Sequence, residues 1–176
     1  MPPLRRGARV NPLVRRGLAV AVLLLVLDQL SKWWILDVVR LPEQQNLPLL
    51  MLGPIGLDLT MVWNRGVTFG LFSGGGAWNH LILAVVALAV SAMLLRWLWK
   101  ADTAPVAVAL GAVIGGAVGN VIDRFRFGAV VDFVDVHAWG WHWYVFNVAD
   151  AAIVCGVLAL VTDALIRPES KRKEAT

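Results

Sequence analysis

Five polar side chains lie where the surrounding sequence is too apolar to solvate them. Asn120 and Asp123 close the glycine-studded run GAVIGGAVGNVIDR, Asp132 sits among valines in GAVVDFVD, and Asn147 and Asp150 open FNVADAA. Polar groups in hydrocarbon are costly, and a chain that keeps them there marks a functional site. Asp132 and Asp150 offer the clearest chemistry. Two carboxylates close together in a low-dielectric site cannot both ionise comfortably, so they share one proton. The ionised member can activate a water, while the protonated one polarises an amide carbonyl and later serves the leaving nitrogen. That is the logic of an aspartic peptidase, and it needs no cofactor and no metal. Spacing alone leaves two rivals open. A small proton- or ion-coupled transporter could use the same acids, and a non-enzymatic assembly factor could bind partners through a long outward loop. A transporter needs a polar stripe running to the inner face, whereas these residues cluster in the outer half, and no internal repeat links the two halves of the chain.

The elements that must hold these residues are membrane spans. Of 176 residues, 59% are hydrophobic and 16% charged, and the mean hydropathy is +0.69. Soluble domains carry about 25% charged residues. Four apolar segments, 17–36, 80–99, 104–122 and 146–166, each approach the roughly 20 residues that cross a bilayer. The expected fold is an all-α membrane protein of four transmembrane helices, with a small outward-facing β hairpin or sheet on the membrane surface. Residues 1–16 form a basic tail, 17–166 the four-span unit with outward loops 37–79 and 123–145, and 167–176 a second basic tail. The net charge is +4, but its distribution argues against nucleic acid. Eleven of the 16 Lys and Arg residues precede the first segment, close the second or follow the fourth. The positive-inside rule then puts both termini in the cytoplasm.

Local patterns fill in the frame. Asp28 and Lys32 are four apart near the outer end of the first span; an intrahelical pair with a snorkelling lysine and a support for a neighbouring site are both open readings. Trp33 and Trp34 mark an interface. In the first loop Leu57, Leu59, Met61 and Trp63 alternate with Asp58, Thr60 and Val62, a half-exposed strand. Asn64-Arg65-Gly66 follows as a turn, with a second strand over 67–72. Gly111, Gly115 and Gly119 recur every fourth residue, a pattern that lets helices approach closely. From Gly128 the period becomes two, with Val130, Asp132, Val134 and Val136 on one side and Val131, Phe133 and Asp135 on the other. Asn147 and Asp150, three apart, share a helix face a turn below the outer surface. His80, His137 and His142 lack metal-site spacing. Asp163 reads as a solvated helix-end residue, and Cys155, the single cysteine, as a small apolar one.

Five ordered blocks carry a resemblance: DQLSK (28–32), NRGVTFG (64–70), GGAVGNVIDR (115–124), GAVVDFVDV (128–136) and FNVADAAI (146–153). In order and content they resemble the motifs of the bacterial lipoprotein signal peptidases, signal peptidase II. The resemblance implies a four-span inner-membrane aspartic peptidase with an outward-facing site. Its substrates would be prolipoproteins whose cysteine already carries diacylglycerol, cut on the N-terminal side of that cysteine. It implies Asp132 and Asp150 as the catalytic pair. Asn64, Asn120, Arg124 and Asn147 match residues lining the family's substrate and inhibitor pocket, and Asp28 and Asp123 match supporting acids. It further implies no cofactor, contact with membrane lipid, inhibition by globomycin-type compounds and action as a monomer. Val67-Thr68 stands where alanines are frequent, which bears on pocket shape. Residues 37–56 match no motif.

Overall fold

The computed structural model describes residues 11–66 and 78–167. Five helices and a four-stranded antiparallel sheet make up the described chain. Helix α1, Pro12–Trp33, starts with Asn11 as its N-cap, the Asn11 side chain accepting the Leu13 N–H, and with proline in its first turn. Arg15 and Arg16, within the basic segment expected over 1–16, are therefore helical. A π-helical turn, Trp34–Val38, continues α1 and buries Ile35 under the sheet. A short helix α2, Leu41–Gln44, leads into strands β1, Asn46–Leu52, and β2, Ile55–Asn64. Then come α3, Asn79–Leu98, and α4, Ala104–Phe127, followed by β3, Val130–Ala138, β4, Trp141–His142, and α5, Val148–Ile166.

Helices α3, α4 and α5 are long and apolar enough to cross a membrane. Helix α4 is the central one, packed against α1, α3 and α5, and its glycines explain how. A Cβ on Gly115 would overlap the carbonyl of Ala21 on α1, and one on Gly116 would overlap the carbonyl of Ala149 on α5. Small residues on two faces let α4 touch both neighbours backbone to backbone. Gly115→Ala should therefore push α1 outward and cost about 1–3 kcal/mol, the usual range for overpacking. Thermal unfolding in detergent measures it.

Helix α4 runs five residues past the expected span end, so Asp123 and Arg124 are helical. Gly128 ends it at φ +68°, and its N–H reaches back to the Arg124 carbonyl at 3.0 Å. Only glycine adopts that conformation without strain, and the reversal aims the chain directly into β3.

The sheet order is β1-β2-β3-β4. The small antiparallel sheet expected from the sequence is present. Strand β2 is present where alternation placed it, but its partners are β1, through a turn at Gly53-Pro54, and β3. The second strand expected over 67–72 lies outside the described residues. Strand β1 had no signal because its run NLPLLML is apolar after Asn46 and almost wholly exposed on the sheet edge. Ile35, Leu41, Leu59, Met61, Val131 and Phe133 form the core between the sheet and the end of α1.

Two irregularities in the sheet set the positions of Asn64 and Asn147. Strand β2 pairs with β3 from Ile55↔Ala138 to Leu59↔Val134, then from Val62↔Asp132 to Asn64↔Val130. Three steps on β2 answer two on β3, a bulge at Thr60-Met61. Because side chains alternate, the extra residue moves Asn64 onto the face of Asp132. Further along, Phe146 pairs with Val134 through bonds at 2.8 and 3.1 Å. That short ladder delivers Asn147 beside β3 just before α5 begins.

Candidate active site

Asn147 is not on the face of a helix, as its spacing from Asp150 suggested. It is the N-cap of α5, extended at φ −129° and ψ −178°. Its Oδ1 accepts the Asp150 N–H at 2.9 Å, and Asp150 Oδ2 accepts the Asn147 N–H at 3.4 Å. This reciprocal capping box satisfies two orphan donors at the helix start. The amide of Asn147 is left pointing the other way, and Nδ2 donates to Asp132 Oδ1 at 2.6 Å. One fully buried asparagine thus contacts both carboxylates.

Asp132 is itself fully buried. Its second oxygen accepts from Asn64 Nδ2 at 3.0 Å, the contact that the bulge in β2 makes possible. Asn64 also closes the bend, accepting the Gly66 N–H through Oδ1 at 3.2 Å, so turn residue and site residue are the same side chain. Burial pushes the Asp132 carboxyl up to about 7, and the charge of nearby Asp150 adds to the rise; the amides of Asn64 and Asn147 and the charge of Lys32 pull the other way. Desolvation and a like charge both disfavour the carboxylate. Asp150 is only half-buried and lines a cavity of about 890 Å³ together with Asn64, Asn120, Arg124 and Tyr144. Asn120 Nδ2 donates to Asp150 Oδ1 at 2.8 Å. A shielded carboxyl that keeps a proton near neutrality thus stands beside one that faces solvent.

Arg124 lines the cavity too and donates from Nη1 to the Asn120 carbonyl at 3.1 Å. Asp123 turns away from it and is fully buried against α1 and β3, where its Oδ2 accepts the Val131 N–H at 3.1 Å. Asp28, also fully buried, accepts the Ala149 N–H at 3.0 Å. Lys32 does not snorkel. It is 2% exposed and sits between Asp28 and Asp123 at 2.8 and 2.7 Å.

Sequence reasoning missed three participants. Gln29 donates to Asp28 and Asp123, both at 3.1 Å. Tyr144 receives the Asn64 amide on its hydroxyl at 2.6 Å; burial raises its pKa, as do the charges of Asp132 and Asp150. Lys32 is the third. Tyr144 is hidden in an aromatic run that reads as an interfacial belt, and its one distinguishing signal is adjacency to the Asn147 block.

Two of the three histidines form a separate arrangement on the sheet. His137 and His142 stack at 4.8 Å, His137 near Asp58 at 3.5 Å and His142 on Asp135 at 3.0 Å. Among the described residues no group of three or more His, Cys, Asp or Glu is placed to hold a metal. Asp163 lies 3.4 Å from Arg167, which also reaches Asp102 at 2.7 Å.

The chain is similar to known proteins along most of its length. The model of the signal peptidase II family matches residues 20–166. A lipoprotein signal peptidase of Methylorubrum extorquens is 47% identical over 151 residues, covering 86% of each chain. One from Rhodopseudomonas palustris is 44% identical over 161 residues, covering 87% of this chain and 93% of its own. Among solved structures, a bacterial membrane enzyme determined by the in meso method at 2.3 Å superposes with a TM-score of 0.68 at 25% identity, covering 85% of this chain and 87% of its own.

Proposed function

Because this chain belongs to the signal peptidase II family and is a membrane-bound peptidase that removes the signal peptide from prolipoproteins, we propose that Asp132 and Asp150 are its catalytic pair. The observation that carries this reading is the one buried asparagine, Asn147, bonded to both carboxylates, of which Asp150 lines the cavity. Asp132, with its proton retained to about pH 7, is the acid; Asp150, facing the cavity, is the base. Asp150 takes a proton from water as the water attacks the scissile carbonyl carbon, and Asp132 donates its hydrogen bond to the carbonyl oxygen. In the second half, the proton on Asp150 passes to the leaving nitrogen as the C–N bond breaks. Asn64, Asn120 and Arg124, which line the cavity, bind and orient the peptide backbone, while buried Asn147 joins Asp28 and Asp123 in supporting the pair.

Helix α1 is the fourth span in this reading. Its 22 residues are about 33 Å long, enough to cross, and its charged Asp28 and Lys32 are buried in protein. The unit of 17–166 then acts as a monomer in the bacterial inner membrane, with basic tails and both termini cytoplasmic and the cavity facing outward. The substrate's signal helix enters from the bilayer. Its diacylglyceryl chains stay in lipid, which holds the modified cysteine at the depth of the site and directs the cut to its N-terminal side. A globomycin-type inhibitor occupies the same cavity.

The test is to incubate the purified protein with a prolipoprotein carrying or lacking diacylglycerol. Release of the signal peptide from the lipidated form alone, blocked by globomycin, is expected. Equal cleavage of both forms would refute the lipid requirement, and cleavage resistant to globomycin would refute the inhibitor assignment.

The pH profile follows from Asp132. Its proton is held below about pH 7 and lost above, so kcat should fall on the alkaline side with an apparent pKa near that value. Stability has the same sign. The fold favours protonated Asp132, so this contribution is complete below the ordinary carboxylate range and is lost as pH rises through about 7. A kcat that keeps rising through pH 8 would refute the assignment of the proton.

A further inference from the structure

Lys32 takes no part in these proton transfers, and α1 contributes no residue to the cavity wall. Its ammonium is nevertheless fully committed. Nζ contacts Asp28 Oδ2 at 2.8 Å, Asp123 Oδ2 at 2.7 Å and Asn120 Oδ1 at 3.1 Å. An ammonium has three N–H donors and no acceptor, so these three contacts use all of them. Each partner then reaches the catalytic pair by a different route. Asp28 Oδ1 accepts the N–H of Ala149, the residue before Asp150, at 3.0 Å. Asp123 Oδ2 accepts the N–H of Val131, the residue before Asp132, at 3.1 Å. Asn120 donates to Asp150 Oδ1 at 2.8 Å.

We infer that Lys32 is a positioning residue for peptide hydrolysis, its single buried charge holding the amides immediately ahead of Asp132 and Asp150 at a fixed separation. The inference rests on the assignment of those two aspartates as the catalytic pair. The physical argument is one of charge and of geometry. Asp28 and Asp123 are both fully buried and share this one cation. Without it they repel each other, and each must take up a proton or move. Either response loosens a bond to α5 or to β3, and those are the two elements whose spacing decides whether one water fits between the carboxyls. A second-layer group of this kind typically changes activity by about 10–100-fold. Arginine is no substitute, because its planar fork cannot meet three acceptors arranged around a point.

The experiment compares full-length Lys32→Met, Lys32→Arg and Asp132→Asn with the parent protein, purified in the same detergent. Folded Lys32→Met should lose about 100-fold in kcat with KM for the lipidated substrate unchanged. The alkaline limb of its kcat profile should move to higher pH, because the charge that draws the Asp132 pKa down is gone. Lys32→Arg keeps the charge and loses the three-way geometry, so its limb should stay in place while kcat still falls. A purely structural lysine would not separate limb from rate in this way. Wild-type kcat with an unmoved limb in folded Lys32→Met overturns the inference, as does a loss confined to KM. Should Lys32→Met not fold, the neutral triple variant Asp28→Asn/Lys32→Met/Asp123→Asn takes its place, with kcat expected to stay at least about tenfold down; full activity there overturns the inference equally. Activity in Asp132→Asn would overturn the catalytic pair itself, and that arm is read independently of any change at Lys32.

Discussion

Asp150→Asn should abolish processing, with signal-peptide release falling about 10,000-fold, the upper range for losing a general acid–base group. The substitution is nearly isosteric. The new side chain keeps an oxygen for the Asn120 amide now 2.8 Å away, and places its NH2 toward the weaker 3.4 Å contact with the Asn147 N–H. Insertion and fold should therefore persist. Asp132→Asn should be as inactive and somewhat less stable. Both oxygens of Asp132 face amide donors, from Asn64 and Asn147, so an amide there meets a like group on one side. Processing of a lipidated prolipoprotein by gel shift, with membrane insertion of each variant as control, measures both. Substantial turnover in either inserted variant would remove that aspartate from the chemistry.

The second large effect is at Asn147, and two substitutions separate its roles. Asn147→Ala removes the cap of α5, worth about 0.5–2 kcal/mol, and leaves Asp132 Oδ1 buried without its donor, worth about 1–3 kcal/mol more. Activity should fall about 100-fold, as for a lost supporting contact. Asn147→Asp retains an oxygen for the Asp150 N–H, so the cap survives. It also sets a carboxylate where an amide donated at 2.6 Å, directly against Asp132. This variant should melt closer to the parent than Asn147→Ala when acidified and yet be less active near neutrality. Thermal melts and initial rates at two pH values decide it. If Asn147→Asp matched the parent in rate, the amide donor would have no role in holding Asp132.

What can be read from the chain and what cannot divide along a physical line. Asp132, Asp150 and Asn120 stand out because each is polar in apolar surroundings, a contrast visible within a few residues. The glycines of α4 are legible for the same reason, since a four-residue repeat is local. Boundaries are less legible. Helix α4 continues to Phe127 because its last turn is held by Asp123 against Val131 across the reversal, a tertiary effect. Asn147 carries a capping pattern, Asn-x-x-Asp, but in an apolar run that pattern reads as a helix face. Lys32 looks like an interfacial lysine because Asp123, its second partner, is 91 positions away in the chain. Strand β1 has neither alternation nor burial to announce it. Contacts between elements distant in sequence set what a single chain hides, and the buried charges are where that matters most.

The bulge at Thr60-Met61 makes the length of β2 a counted quantity, like a reading frame. From Ile55 to Leu59 the strand keeps one phase with β3, and from Val62 to Asn64 it keeps the other. Paired without the bulge, the same residues would run in one unbroken register from Leu59↔Val134, with Met61 opposite Asp132 and Trp63 opposite Val130. That register would turn Asn64 to the far face, away from Asp132, with Trp63 on the near face in its place. Removing one residue at Thr60-Met61 would erase the bulge and leave both registers, and Asn64 with them, where they are. The bulge is how a strand with one residue more than its partner still brings Asn64 to the carboxylate.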